Sequence, residues 1–240
     1  MALLEANGMS VRFGEHLAVD NVSVAVEAGQ IAALIGPNGA GKTTLFNAIC
    51  GVQSTESGVV TLDGEDISTA KPQRRARLGL NRTFQRLEVF GSMTAYDNVR
   101  TAAEIKAEGR RVALREAKVL TDDIIDLLGL GAVADKRADA LPTGQARLVE
   151  LGRALATEPK VLLLDEPASG LDEHETARVA EVLLSLRDRG MAILLVEHDI
   201  DLVMRLSSRV YVLNLGLLIA DGTPAQVRKN KAVQEAYLGS

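Results

Sequence analysis

A single cysteine, Cys50, among 240 residues rules out an internal disulfide, and with it the crosslinked scaffolds of small secreted domains. Long apolar runs are missing too. The longest, such as 210–213 and 217–220, fall far short of the roughly 20 residues that span a bilayer, so any membrane association is expected to run through a partner. Nor is there an excess of positive charge: 27 basic against 32 acidic residues leave a net charge of −5, which supplies no general attraction to a phosphate backbone. A broad nucleic-acid surface is not expected. The opening segment MALLEANGMSVRF lacks the basic start and apolar stretch of a secretory leader, which together with the lone thiol predicts a cytosolic location. Low-complexity segments, internal repeats and long linkers are absent as well.

What the chain does have is 47% hydrophobic residues, enough at this length to bury one sizeable core and fold as a single domain. Val22, Val24 and Val26 alternate with Ser23, Ala25 and Glu27, the pattern of a strand with one buried face, and Gly29 ends it. The short apolar run 31–35 enters a Gly-rich loop, after which 44–49 reads as a helix stopped by Gly51. Similar buried runs recur at 161–164, 192–196 and 210–213, with helical segments between them that include Val179, Val182, Leu183 and Leu186 on one face. This alternation predicts an α/β fold with a mainly parallel sheet covered by helices. Residues 94–158 read almost entirely as helix, which predicts a helical lobe inserted into that core.

Gly36-Pro37-Asn38-Gly39-Ala40-Gly41-Lys42-Thr43 lies between a predicted strand and a predicted helix, the setting that the Walker A pattern, or P-loop, requires. Glycines let consecutive backbone N–H groups converge on one anion, and the following helix adds the positive end of its dipole. Lys42 is placed to meet the β and γ phosphates of a nucleotide, and the Thr43 hydroxyl to bind Mg²⁺. A ligand-free glycine turn is the plain alternative, and the flanking strand and helix count against it. A second motif, 161–164 followed by Asp165 and Glu166, is an apolar strand with two carboxylates at its tip. Neighbouring strand residues point in different directions, so the two acids can take separate tasks. Asp165 would hold Mg²⁺; Glu166 would orient and polarise an attacking water. Such a tip is often a solvated cap, but beside a P-loop strand ends converge on the ligand.

Three further segments narrow the reading. Leu141-Pro142-Thr143-Gly144-Gln145 precedes a helix containing Arg153, Ser169-Gly170-Leu171-Asp172 follows the acidic tip, and His198 ends the strand 192–197. With Gln85 after Asn81-Arg82-Thr83-Phe84, the set and its order resemble the nucleotide-binding domain of ABC transporters over essentially the whole chain. Within that family, Arg82-Thr83-Phe84-Gln85, then Val196-Glu197-His198-Asp199, and the ending 221–224 through 236–239 look like the ATPases of branched-chain amino acid importers.

The resemblance implies a P-loop NTPase core with an added antiparallel β subdomain, residues 1–240 forming one ABC-type ATP-binding domain. It implies that Phe13 stacks on adenine, that Thr44 joins the P-loop residues around the phosphates, that Gln85 senses Mg²⁺ and the attacking water, and that His198 contacts the γ-phosphate and holds Glu166. Outside the family context Phe13 is an ordinary core aromatic, Gln85 a surface amide and His198 a structural histidine. The implied partners are transmembrane permease subunits, a second ATP-binding subunit in a head-to-tail pair and, indirectly, an extracytoplasmic solute-binding protein. The implied location is the cytoplasmic face of the cell membrane. Thr143, Gly144 and Gln145 would face the partner's ATP.

The 141–145 segment departs from the usual Leu-Ser-Gly-Gly-Gln: Pro142 replaces the serine that would contact the partner's γ-phosphate, and Thr143 replaces a glycine. Weakened function of the partner site is expected. Three alternatives stand beside import: a lipopolysaccharide-type exporter ATPase, a soluble ABC ATPase acting on DNA or ribosomes, and a regulatory module that closes on ATP without turnover. His16 and His174 read as surface residues, Cys50 as a core thiol, and Arg74, Arg75 and Arg77 as a solvated basic face.

Overall fold

The structure, a computed structural model, describes residues 2–83, 87–110 and 114–238. In chain order it begins with β1 (Ala2–Phe13), β2 (His16–Glu27), β3 (Ile31–Ile35), α1 (Lys42–Ile49), β4 (Ser57–Leu62) and β5 (Glu65–Asp66). There follow α2 (Pro72–Leu78), β6 (Leu80–Arg82), α3 (Ala95–Arg110), α4 (Leu114–Leu128), α5 (Thr143–Leu155) and β7 (Val161–Asp165). The chain ends with α6 (Glu173–Asp188), β8 (Ala192–Val196), α7 (Ile200–Leu206), β9 (Arg209–Asn214), β10 (Leu217–Gly222), α8 (Pro224–Arg228) and α9 (Lys231–Leu238). These elements form two compact units, one of residues 1–82, 160–166 and 184–240, the other of residues 83–159 and 167–183.

The first unit holds both sheets. One is antiparallel in the order β2-β1-β4-β5, and the other runs β10-β9-β3-β8-β7-β6. In the second, β9, β3, β8, β7 and β6 run parallel to one another, and β10 pairs antiparallel with β9. All five residues of β3, β7 and β8 are buried, as a sheet covered on both faces demands. This is why those strands read as continuous apolar runs rather than alternations. The fold class is therefore α/β, with a mainly parallel core and an added antiparallel sheet. Strand β1 has no clear alternation in sequence, because Asn7-Gly8 interrupts it; the pairing with β2 shifts register between Ala6 and Met9 at that point.

In the other unit, α3 packs against α4 and α5. A Cβ on Gly152 of α5 would come within 2.9 Å of Leu128 and Val99 side-chain atoms, so the helices meet where no side chain intervenes. Asn98, fully buried, accepts from the Phe90 N–H at 2.8 Å and donates to the carbonyls of Phe90 and Thr94 at 3.1 and 2.9 Å.

One expectation is corrected here. Arg74 and Arg77 are exposed, but Arg75 is buried. Its guanidinium donates to the carbonyls of Ala48 and Ile49 at the end of α1, to Ala70 at 2.9 Å and to Ser68 at 2.7 Å. The last carbonyls of α1 lack intrahelical partners, and Arg75 supplies them along with a cation at the negative end of the helix. Only the rotation of α2 decides which arginine of the run points inward, and composition does not reveal it. Arg75→Met is expected to strand several buried carbonyls and cost about 3 kcal/mol, lowering Tm by roughly 6–12 °C in a protein of this size. Scanning calorimetry checks this; a loss below about 2 °C would show that water replaces the arginine.

Candidate functional site

The C-terminal ends of β3, β7 and β8 lie along one edge of the parallel sheet, since these three strands run side by side in the same direction. From β3 the chain enters the glycine-rich loop. A Cβ at Gly36 would lie 2.1 Å from the Leu213 carbonyl oxygen of β9, and one at Gly41, whose φ is +102°, 2.6 Å from the Ala18 oxygen of β2. Glycine is thus required at both points by contact with backbone, not only by the turn. Gly41 is also the N-cap of α1 and offers no side-chain cap, which leaves the first N–H groups of the helix available to an anion.

Lys42, buried, donates from Nζ to the carbonyl oxygens of Gly36 at 2.6 Å and Pro37 at 2.9 Å. Burial pulls its ammonium pKa down, against the opposing charges of Glu166 and Asp165. The lysine is therefore a desolvated cation satisfied by its own loop, and a phosphate oxygen is a stronger acceptor than a neutral carbonyl. Asn38 and Gly39 are exposed at the loop tip, Ala40 is buried, Thr43 is exposed and Thr44 half-buried.

Glu166 follows β7 with a φ of +52°, a left-handed backbone that costs a residue other than glycine of order 1–3 kcal/mol. Its N–H is held by the Val196 carbonyl of β8 at 2.9 Å. The strained turn aims the side chain across to the end of β8, where Glu166 Oε1 lies 2.7 Å from His198 Nε2. His198 itself is exposed. The two residues, separate in sequence, are brought together.

Asp165, at the very tip of β7, is 1% exposed. Its Oδ2 receives Arg82 at 3.3 Å, while its Oδ1 is buried with no hydrogen-bond partner among the described residues. Burial pushes the carboxyl pKa up, and Arg82 opposes the shift. A buried carboxylate oxygen without a donor suits a hard cation, so Asp165 with the open Thr43 hydroxyl fits a Mg²⁺ ion that keeps most of its shell as water and phosphate. Gln85, the third expected ligand, lies outside the described residues.

Phe13 ends β1 with 49% of its surface exposed, so its ring is not part of the core. His16 and His174 are exposed and Cys50 is buried, with its thiol pushed up to about 11 by burial. Two residues at the site stand in the sequence only inside family-like segments, with no role of their own assigned there. Arg82 is one. Tyr237 of α9 is the other: its phenol takes a hydrogen bond from the Gly36 backbone, and burial pushes it up to about 12. Both reach the site from strands or helices distant in sequence, which no local pattern announces.

The segment 141–145 belongs to the other unit. Pro142 is the N-cap of α5 and gives it no side-chain bond; instead the Gly144 N–H donates to Glu175 Oε1 at 3.2 Å. Glu175 also accepts from the Asp172 N–H at 3.2 Å. Its carboxylate thus stands at the positive end of α5, where an anion is favoured. Pro142→Ser is expected to add the missing cap and about 1 kcal/mol, raising Tm by roughly 2–4 °C. An unchanged melting curve would show that Glu175 already supplies all that the helix end needs.

Residues 19–169 match the family model described as "ABC transporter", and residues 218–240 match one described as "Branched-chain amino acid ATP-binding cassette transporter". The high-affinity branched-chain amino acid transport ATP-binding protein BraF of Pseudomonas aeruginosa is 39% identical over 99% of this chain and 98% of its own. The lipopolysaccharide export system ATP-binding protein LptB of Escherichia coli is 31% identical over 100% and 98%. Among solved structures, a nucleotide-free ATP-binding cassette from an ABC transporter superposes with a TM-score of 0.88 at 30% identity, covering all of both chains. A P-loop, an acidic strand tip and a histidine at one sheet edge, within a chain so similar to these proteins from end to end, place it plainly: this chain belongs to the ABC transporter family, as one of its ATP-binding cassettes.

Proposed function

We propose that this chain hydrolyses Mg²⁺-ATP and so energises the import of branched-chain amino acids through a membrane permease. The observation that carries hydrolysis is the 2.7 Å contact between Glu166 and His198 at the sheet edge that also bears the P-loop. It leaves a carboxylate held in one orientation, as a group that positions water must be. In this reading Phe13 stacks on adenine, and residues 36–44 cradle the phosphates with their N–H groups. Lys42 neutralises the β and γ oxygens, and His198 reaches the γ-phosphate. Thr43, Asp165 and Gln85 would hold Mg²⁺, which would supply positive charge against the charge that develops on the phosphate oxygens.

The import of branched-chain amino acids is supported by the name of the 39% identical relative and by the separate match of residues 218–240. Lipopolysaccharide export is the second reading, supported by LptB at 31% identity. Under either, residues 1–240 act as one ATP-binding domain with a helical lobe at about 94–158. That domain pairs with a second such subunit, whose ATP meets Thr143, Gly144 and Gln145. No helix among the described residues is long and apolar enough to cross a membrane, so the proposed place is the cytoplasmic face, held by the permease. A solute-binding protein completes the importer on the other side. Neither DNA- or ribosome-directed work nor ATP-dependent closure without turnover has a structural observation in its favour. Reconstitution with the cognate permease in liposomes tests the proposal: ATP-dependent uptake of radiolabelled leucine is expected, and ATP turnover that no branched-chain amino acid affects would sink the import reading.

A further inference from the structure

We propose that Arg82 is a positioning residue that holds the Asp165 carboxylate and keeps a divalent cation from settling there before the nucleotide arrives. The proposal rests on the reading of Asp165 as the Mg²⁺ carboxylate. Arg82 ends β6, beside β7, and its side chain is only 9% exposed. From there the guanidinium donates to Asn47 Oδ1 of α1 at 2.6 Å and to Asp165 Oδ2 at 3.3 Å, and it also bonds the buried Cys50 thiol. One side chain thus joins the P-loop helix to the acidic strand tip. It fixes one carboxylate oxygen and leaves the other, buried Oδ1, without a hydrogen-bond partner among the described residues.

The permanent charges nearest the strand tip are Asp165 and Glu166 against Lys42 and Arg82, which balance, and His198 joins the positive side when protonated. A balanced site has little pull on a free dication, and Arg82 adds direct like-charge repulsion. The triphosphate then changes the sign of the site, and a cation arriving with it is welcome. Without Arg82, and with His198 neutral, the same cluster is net negative and would collect a cation alone.

The test is Mn²⁺ binding to the nucleotide-free protein, read by electron paramagnetic resonance at fixed ionic strength. Arg82→Gln is expected to bind Mn²⁺ about tenfold or more tightly than the parent, whereas Arg82→Lys, which keeps the charge, stays near the parent. Asn47→Asp retains Arg82 and its packing but gives the guanidinium a competing carboxylate, so it too should tighten Mn²⁺ binding if Arg82→Gln does not fold. Unchanged or weaker Mn²⁺ binding in both Arg82→Gln and Asn47→Asp would overturn the proposal, as would a lysine variant that behaves like the glutamine. Asp165→Asn, titrated with Mn²⁺ and ATP together, separates the two levels. A large loss there with no effect at Arg82 overturns the Arg82 role alone, and no loss removes the reading beneath it.

Discussion

Lys42→Ala is expected to weaken ATP binding by about a hundredfold or more. Each charge-assisted hydrogen bond contributes roughly 1.5–3 kcal/mol, and a lysine between two phosphate groups makes at least two, about 3 kcal/mol together at the low end, or a factor of over 100. The loop would not supply a substitute, because its remaining donors are N–H groups without full charge. Folding should not suffer. Burial sets the folded pKa of Lys42 below its unfolded value, so at neutral pH, where the unfolded lysine is charged, folding pays to bury that charge and alanine removes the cost. The Gly36 and Pro37 carbonyls lose their Nζ donor in return, so the two effects oppose and Tm is expected to change little at pH 7. Calorimetric titration with ATP and a melting curve check both halves; ATP affinity equal to the parent's would remove Lys42 from the phosphate site.

Glu166→Gln should act on a different step, leaving ATP affinity near the parent value while slowing turnover roughly a thousandfold, within the range that a positioned acid or base contributes. Glutamine matches glutamate in size, faces the same left-handed backbone cost, and keeps an oxygen toward His198, so the fold has no reason to change. What it loses is the negative charge that polarises water. With hydrolysis blocked, the ATP-bound pair of subunits should accumulate, visible as a doubled mass in light scattering with ATP and Mg²⁺. Turnover at the parent rate would end the assignment. A monomer that also fails to hydrolyse ATP would instead point to an obligatory second subunit of different sequence, and the measurement is then repeated with the permease.

Most of the core was legible because a covered parallel sheet writes itself as short apolar runs, and β3, β7, β8 and β9 are those runs. The P-loop and the acidic tip were legible for a related reason: each sits where such a run stops, and the chemistry needs residue types that composition seldom places there. Other features were hidden. Strand β1 carries a turn-like Asn7-Gly8 in its middle, β6 is only three residues long, and Arg75 differs from its neighbours in the run only by the face of α2 it occupies. Arg82 and Glu175 are tertiary facts, defined by what the fold sets beside them. The left-handed backbone of Glu166 is likewise invisible in sequence, since nothing about a glutamate announces it.

The order of the central sheet has a consequence for how the protein is made. Strand β3, which carries the P-loop, is hydrogen-bonded to β8 and β9, and the Gly36 N–H finds its partner in Tyr237 near the chain's end. A ribosome therefore delivers the nucleotide loop before the strands and helix that support it. During most of translation β3 is an apolar strand waiting for neighbours, a state that invites chaperone capture or aggregation. Fragments released before β8 lack both strands that flank β3, and retention on ATP-agarose would distinguish longer chains from such fragments.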